Sequence, residues 1–314
     1  MELGHVEAFL AIARGGGFAR GSAALHLSQP AVSRRIKLLE TELGAPLFDR
    51  LGRGVALTEA GRAFLPHAQA MLASMRDGID AVGAVRGTGH GPVTLALVGT
   101  LASSSLTARL SRLCQRHPRL DLRLRTALSA EVSALVLRGD AAVGLRYDTD
   151  PDPGLVSVVI GQERLVAVCP PGHPLAAGGP DLAAALAGQR WLAFPTGPGA
   201  PGDPYVAALW QLLAAHGLGT AEILPIDSLT AQKRMTEAGF GLAILPESSL
   251  DEELRTGSLC VIDTPVLTAT IPVALLRRRN AFQTGAAQAL AAALSDWPRD
   301  SGGLSSWAVR DRPG

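Results

Sequence analysis

The chain has 314 residues, 47% hydrophobic and 18% charged, with a formal net charge of +1. Its length exceeds the usual reach of one core, so two or more domains are expected, and its apolar content excludes disorder for most of the chain. Near-neutrality confines any surface for a polyanion to a local patch rather than a global field.

Of the 29 basic residues only Lys37 and Lys233 are lysines, which with abundant Ala and Gly reads as coding bias. Cys114, Cys169 and Cys260 are far apart and odd in number, without a CxxC or Cys/His cluster. They predict neither a metal site nor a disulfide framework and are expected as small buried hydrophobes. The opening MELGHVEAFLAIARGGG carries Glu2, His5 and Glu7 and lacks a basic leader, so no signal peptide is expected. No uninterrupted apolar run of about 18 residues occurs, so no membrane span is expected, and a cytoplasmic location follows.

Leu3, Val6, Phe9, Leu10 and Ala13 recur at spacings of three and four, predicting an amphipathic helix over 2–13 that Gly15, Gly16 and Gly17 stop. A second short helix is expected at 18–25. Leu27-Ser28 then turns into a third, QPAVSRRIKLLETEL, with Ser28 as N-cap and Pro30 in its first turn. Val32, Ile36, Leu39 and Leu43 form its inward stripe. Gln29, Ser33 and Lys37, flanked by Arg34, form the opposite face and suit base edges and phosphates in a major groove. Taken alone, such a face is more often simply a solvated one. The two preceding short helices and the Arg/Gly-rich turn FDRLGRGVALT, with Arg50 and Arg53, favour the DNA reading.

Residues 23–61, AALHLSQPAVSRRIKLLETELGAPLFDRLGRGVALTEAG, resemble the LysR-type transcriptional regulators: SQPAVSRRI, LETELGAPLF and LTEAG fall in that family's order and spacing. The likeness continues more loosely to about residue 296. It implies a winged helix-turn-helix, a long linker helix and a two-lobed α/β effector domain resembling periplasmic binding proteins. By position it implies that Gln29, Pro30, Ser33 and Arg34 face bases, while Lys37, Arg50 and Arg53 meet phosphates. There are departures. Gly17 stands where the family usually has Ser, and Gly21-Ser22 where it has two alanines. Gly21 is expected to cost about 1 kcal/mol of helix propensity relative to Ala.

Along 59–86, Leu65, Ala68, Leu72, Met75, Ile79 and Val82 recur at three and four, an a/d stripe suited to a paired helix. The pattern fits almost as well a helix lying on its own subunit. The resemblance tips it towards a homodimer or homotetramer reading a partly palindromic duplex. RGTGHGP then reads as a hinge.

From Val93 the pattern becomes α/β. VTLALV, DLRLRT, AAVGLR, RLVAVC, WLAF, EILPI and IPVALLRRR are expected strands, separated mostly by helices, and a mainly parallel sheet is predicted. The expected boundaries are a DNA-binding domain over 1–58 and a linker over 59–89. An effector domain spans 90–297, with one lobe from 90–161 and 267–297 and the other from 162–266. A disordered tail is expected over 298–314.

Ligands of open α/β sheets sit at the carboxyl ends of strands, which points to Thr100, Ser103, Leu128, Ser129 and Arg146 in one lobe and Thr196 and Asp227 in the other. Thr100 and Ser103 open a helix whose free N–H groups favour an anion, and Arg146 suits a carboxylate, so a small anionic effector between the lobes is expected. The plain alternative is that Thr and Ser merely cap helices and Arg146 is a surface residue. GPGAPG at 197–202 matches GxGxxG, but Pro198 and Pro201 remove N–H groups that would cradle a pyrophosphate. No HExxH, paired-carboxylate or GxSxG pattern supports catalysis, so neither an enzyme nor a cofactor is expected. A solute-binding protein would share the α/β half, and a dehydrogenase would need an unbroken phosphate loop. The leading expectation is a DNA-binding regulator whose partners are operator DNA, an effector, a second copy of itself and RNA polymerase.

Overall fold

The computed structural model describes residues 1–51, 54–85, 92–177, 182–195, 203–262, 264, 267–295 and 297. The expected hinge between 86 and 91, the GPGAPG loop and the tail over 298–314 lie outside these. The chain forms two compact units, the first drawn mainly from Met1–Gly89 and the second from His90 onward.

The first unit consists of α1 (Leu3–Gly15), α2 (Phe18–Leu25), α3 (Gln29–Leu43), the strands β1 (Phe48–Leu51) and β2 (Gly54–Leu57), and α4 (Glu59–Val85). Val6, Phe9, Leu10 and Ile12 of α1 pack on Val32, Ile36 and Leu39 of α3, so the i, i+3, i+4 spacing of each helix becomes one core. Phe9 sits at its centre, 5.3 Å from the Phe48 ring and 5.2 Å from Phe64. Leu43, expected inside, is 39% exposed, because α3 has run past the end of this core.

Two glycines mark close backbone approaches. A Cβ on Gly61 would stand 2.2 Å from the Leu47 carbonyl oxygen, so only glycine lets α4 start against the strand entry. A Cβ on Gly21 would meet the Ile12 side chain at 2.8 Å and its backbone nitrogen at 3.0 Å. The expected propensity cost at Gly21 is therefore offset by contact between α1 and α2.

The a/d stripe of α4 divides. Ala68 is fully buried and Leu72 is 8% exposed, both in the core of this same unit, with Leu65 packed against it. These three pack in the winged-helix core. Met75, Ile79 and Val82, further along, are 37%, 64% and 60% exposed.

The second unit is mixed α/β. Its elements are β3 (Pro92–Val98), α5 (Ser104–Arg116), β4 (Asp121–Ala127), α6 (Ser129–Leu137), β5 (Val143–Tyr147), β6 (Leu155–Cys169), α7 (Leu182–Ala187), β7 (Trp191–Ala193), α8 (Pro204–Ala215), β8 (Ile223–Pro225), α9 (Leu229–Glu237), β9 (Leu242–Pro246), α10 (Asp251–Thr256), β10 (Cys260–Val261), β11 (Thr268–Arg278) and α11 (Gly285–Ser295). Among the described residues the strands form a sheet in the order β4-β3-β5-β11-β6-β9-β7-β8, with β10 also on β6.

Each half of the sheet is a small parallel set, β4-β3-β5 in one lobe and β8-β7-β9 in the other. The middle is antiparallel, contrary to the mainly parallel expectation: β11 pairs along its whole length with β6, from Thr268↔Val166 to Arg278↔Leu155. Both strands pass from one lobe into the other. Sequence reading began this strand near Glu163, because Leu155–Gly161 combines exposed Val158 and Val159 with polar neighbours and gives no clean alternation.

Candidate nucleic-acid interface and interlobe cleft

The turn between α2 and α3 is closed by backbone bonds, Leu27 N–H donating to the Ser22 carbonyl (3.0 Å) and His26 N–H to Ala23 (3.2 Å). His26 adopts the left-handed conformation, φ 53°, that ends α2. Ser28 then caps α3, its Oγ accepting from the Ala31 N–H at 3.4 Å, with Pro30 in the first turn. Burial of Val32, Ile36 and Leu39 sets the rotation of α3 about its axis. The remaining face carries Gln29, Pro30, Arg34 and Lys37 exposed and Ser33 half-buried.

Neither Arg34 nor Lys37 has an ion pair among the described residues, so both charges are available to an external anion. Arg35 faces the protein instead, its guanidinium donating to the Gly4 carbonyl at 3.4 Å. Beyond α3, β1 and β2 form a hairpin with Arg50 opposite Val55. Arg53 lies outside the described residues. Sequence reading passed over Arg62, an exposed cation at the foot of the hairpin whose Nη1 donates to the Leu57 carbonyl at 2.7 Å. Its place directly after LTEAG was the available signal.

In the second unit a cavity of about 660 Å³ opens between the lobes at the carboxyl ends of β3 and β4. Thr100, Ser103, Leu128 and Asp227 line it. The Thr100 hydroxyl donates to the Tyr147 hydroxyl at 3.0 Å, and the Ser103 Oγ caps α5 by accepting from Leu106 N–H at 3.4 Å. Thr196 lies outside the described residues.

Two expected residues stand elsewhere. Ser129 is fully buried, its N–H donating to Asp203 Oδ2 at 3.0 Å, and it does not line the cavity. Arg146 is turned away because side chains alternate along β5 and its neighbour Tyr147 takes the cleft side. Its guanidinium is paired with Asp150 and bonded to the Ser133 hydroxyl (2.8 Å) and the Tyr147 carbonyl (3.0 Å). Burial pushes the Asp150 carboxyl up, but hydrogen bonds from Ser133 and the Asp152 N–H, with the charge of Arg146, hold it below its ordinary value. Arg146 is thus paired within the protein and does not line the cavity.

The far wall is acidic. Asp227, Asp251, Glu252 and Glu253 all line it, against one cation among the described residues, Lys233. Lys233 Nζ is already 2.8 Å from Glu253 and donates to the Ser249 carbonyl at 2.9 Å. In the sequence Lys233 stands out only as one of two lysines. Beneath this wall Ser248 donates twice to buried Glu163, from its N–H at 3.2 Å and its hydroxyl at 2.7 Å. Burial pushes the Glu163 carboxyl up to about 7; the Ser248 bonds oppose the rise, and Glu247 and Asp251 add to it. Among the described residues no group of three His, Cys, Asp or Glu is placed to hold a metal ion, and no helix is long and apolar enough to cross a membrane.

Comparison with known proteins agrees with this division. Residues 3–62 match the family described as bacterial regulatory helix-turn-helix protein, lysR family, and residues 86–299 match the LysR substrate binding domain. The HTH-type transcriptional regulator CfxR of Cupriavidus necator is 31% identical over 85% of this chain and 83% of its own. ShiR of Corynebacterium glutamicum is 33% identical over 78% and 82%. Among solved structures, full-length OxyR from Pseudomonas aeruginosa superposes with a TM-score of 0.70 at 20% identity, covering 94% of each chain. CbnR bound to its target DNA superposes at 0.59 and 25%, covering 93% of this chain and 98% of that one. With both halves of the chain matched in order, this protein belongs to the LysR family of DNA-binding transcriptional regulators.

Proposed function

We propose that two copies of this chain read a partly palindromic operator with the outer face of α3, and that a small molecule held between the lobes of the second unit controls the outcome. The observation that carries the reading is the rotational setting of α3. Its apolar residues are consumed by the core, which leaves Gln29, Ser33 and Arg34 for base edges and Lys37 for the phosphates, with Arg50 in the hairpin and Arg62 at its foot as further phosphate contacts; Arg53, outside the described residues, is assigned to the phosphates from its place in the sequence alone. That CbnR has been solved with its target DNA supports the same use of this fold here. Met75, Ile79 and Val82, the exposed remainder of the stripe on α4, are the residues we assign to pairing of two copies. The protein acts in the cytoplasm, where its DNA is, and its contact with RNA polymerase is part of the same proposal.

For the effector, the lining revises the charge expected. With Arg146 paired elsewhere and Lys233 paired with Glu253, a carboxylate finds, among the described residues, the hydroxyls and N–H groups at the start of α5, while Asp227, Asp251 and Glu252 face it. The effector that fits carries a cationic group for the acidic wall and a polar or anionic end for Thr100 and Ser103.

A gel shift on the protein's own upstream DNA tests the first part. Gln29→Ala, Ser33→Ala and Arg34→Ala together abolish preference for that duplex over random DNA, and parent-like selectivity in the triple variant refutes the reading. Affinity should also fall steeply between 50 and 200 mM salt, as phosphate neutralisation requires. Calorimetry with benzoate, a diamine and a basic amino acid tests the second part, and tightest binding of benzoate would restore the anionic effector.

A further inference from the structure

The fold brings together two cysteines that the sequence holds far apart. β10 pairs antiparallel with the end of β6 in the register Cys260↔Cys169 and Val261↔Val168. The ladder is continued by Ile262 N–H donating to the Ala167 carbonyl at 2.9 Å, which fixes that register. Directly opposed residues of an antiparallel pair share a face, with Cα atoms roughly 4.5–5.5 Å apart. That spacing falls inside the range of about 4.4–6.8 Å over which a disulfide closes. Both thiols are free; Cys169 is fully buried and Cys260 partly exposed. The third cysteine, Cys114, stands on α5 in the other lobe.

We propose that Cys169 and Cys260 are a redox modification site, closing to a reversible cross-strand disulfide by exchange with a low-molecular-weight disulfide. The partly exposed Cys260 gives up its proton and attacks one sulfur of the small disulfide. That S–S bond breaks, one small thiol leaves, and Cys260 carries the other half as a mixed disulfide. Cys169 then loses its proton to solvent, attacks the Cys260 sulfur and expels the second small thiol. Two protein thiols are oxidised and one small disulfide is reduced to two thiols, so nothing else is consumed. Partly exposed Cys260 is the thiol a small disulfide can reach first, and buried Cys169, its thiol pushed up to about 11 by burial, is the second nucleophile. The link has a structural consequence, because β10 follows α10, the helix that presents Asp251, Glu252 and Glu253 to the cleft. Joining β10 to β6 ties that acidic wall to a strand shared by both lobes.

The full-length protein is incubated with a tenfold excess of oxidised glutathione, alkylated with iodoacetamide and digested without reduction. The expected product is a peptide pair joining Cys169 to Cys260, lost on treatment with dithiothreitol, with Cys114 alkylated. Cys169→Ala should stall with glutathione on Cys260. The proposal is overturned if the unsubstituted protein also stops at glutathionylated Cys260, with Cys169 alkylated once the chain is unfolded. It is equally overturned if neither residue reacts, or if the links formed involve Cys114 or join two chains.

Discussion

Replacing Glu163 by glutamine isolates a carboxyl that joins the strand crossing between the lobes to the wall of the cleft. Glu163 is 2% exposed and accepts both Ser248 bonds. In the folded chain it releases its proton at about 7 rather than at its ordinary 4.5. Between those values the folded state holds a proton that the unfolded state has lost. Unfolding free energy attributable to this group therefore falls as pH rises through the window. The full displacement corresponds to about 3 kcal/mol, an upper figure reached only above pH 7. Glutamine can keep both contacts, its carbonyl oxygen accepting from the Ser248 N–H and its amide donating to the Ser248 hydroxyl, while removing the titration. Urea unfolding of parent and Glu163→Gln at pH 5 and pH 8 is the assay. The two should nearly coincide at pH 5, and the variant should be the more stable at pH 8 by about 1–3 kcal/mol. A difference independent of pH, or a variant weaker at pH 8, would show that the carboxylate is well accommodated in its ionised form.

Three further substitutions test the packing. Gly61→Ala drives a Cβ towards the Leu47 carbonyl and should cost about 1–3 kcal/mol, read as a lower melting temperature of the DNA-binding unit; an unchanged melt would mean that this approach is not tight. Gly17 precedes α2 with an extended φ of 169° and open space around its Cβ position, so Gly17→Ser should cap the helix and gain a few tenths of a kcal/mol in urea midpoint. A loss of stability would count against the cap. Arg146→Ala leaves Asp150 without its buried partner and should cost about 3 kcal/mol, whereas Arg146→Met with Asp150→Asn should recover most of it. If Arg146→Ala instead leaves stability intact while weakening carboxylate binding, the residue belongs to the cleft after all.

What the sequence made legible follows from the range of the interactions involved. α3 was readable to its ends because its N-cap, its proline and its apolar period all lie within one helix and agree with one another. That Thr100 and Ser103 line a cavity was legible because strand ends in an α/β alternation are local features. The position of Arg146 at a strand end was equally visible, but its partner was not. Whether it reaches into the cleft depends on which face of β5 Tyr147 takes, and on Asp150 folding back beneath it. Cys169 and Cys260 show the same limit, since a register between two strands so far apart in the chain is set by everything between them. On α4 a single heptad pattern served two surfaces in turn, and only the packing of Phe64, Leu65 and Ala68 separates core from exposed face.

The contacts behind the cleft indicate how a ligand there would act. Tyr147 of one lobe stacks on Tyr205 of the other at 5.6 Å, and Asp203, which caps α8, accepts from the Ser129 N–H across the same boundary. Thr100, on the cleft surface, is one hydrogen bond from that stack. Ser248, on the opposite wall, is one hydrogen bond from Glu163 on β6. A ligand touching both walls therefore meets groups already bonded to the two features that hold the lobes together, the tyrosine stack and the long strand pair. Tight binding alone would change nothing; only contacts that differ between two lobe arrangements shift their populations. The groups able to make that difference are those free of internal partners. On the acidic wall, and among the described residues, that points to Asp227 and Glu252 rather than to Glu253, whose charge is already spent on Lys233. A ligand whose cation engages that pair while its other end displaces the Thr100 bond would couple both walls at once, and one that reaches a single wall would bind without switching the protein.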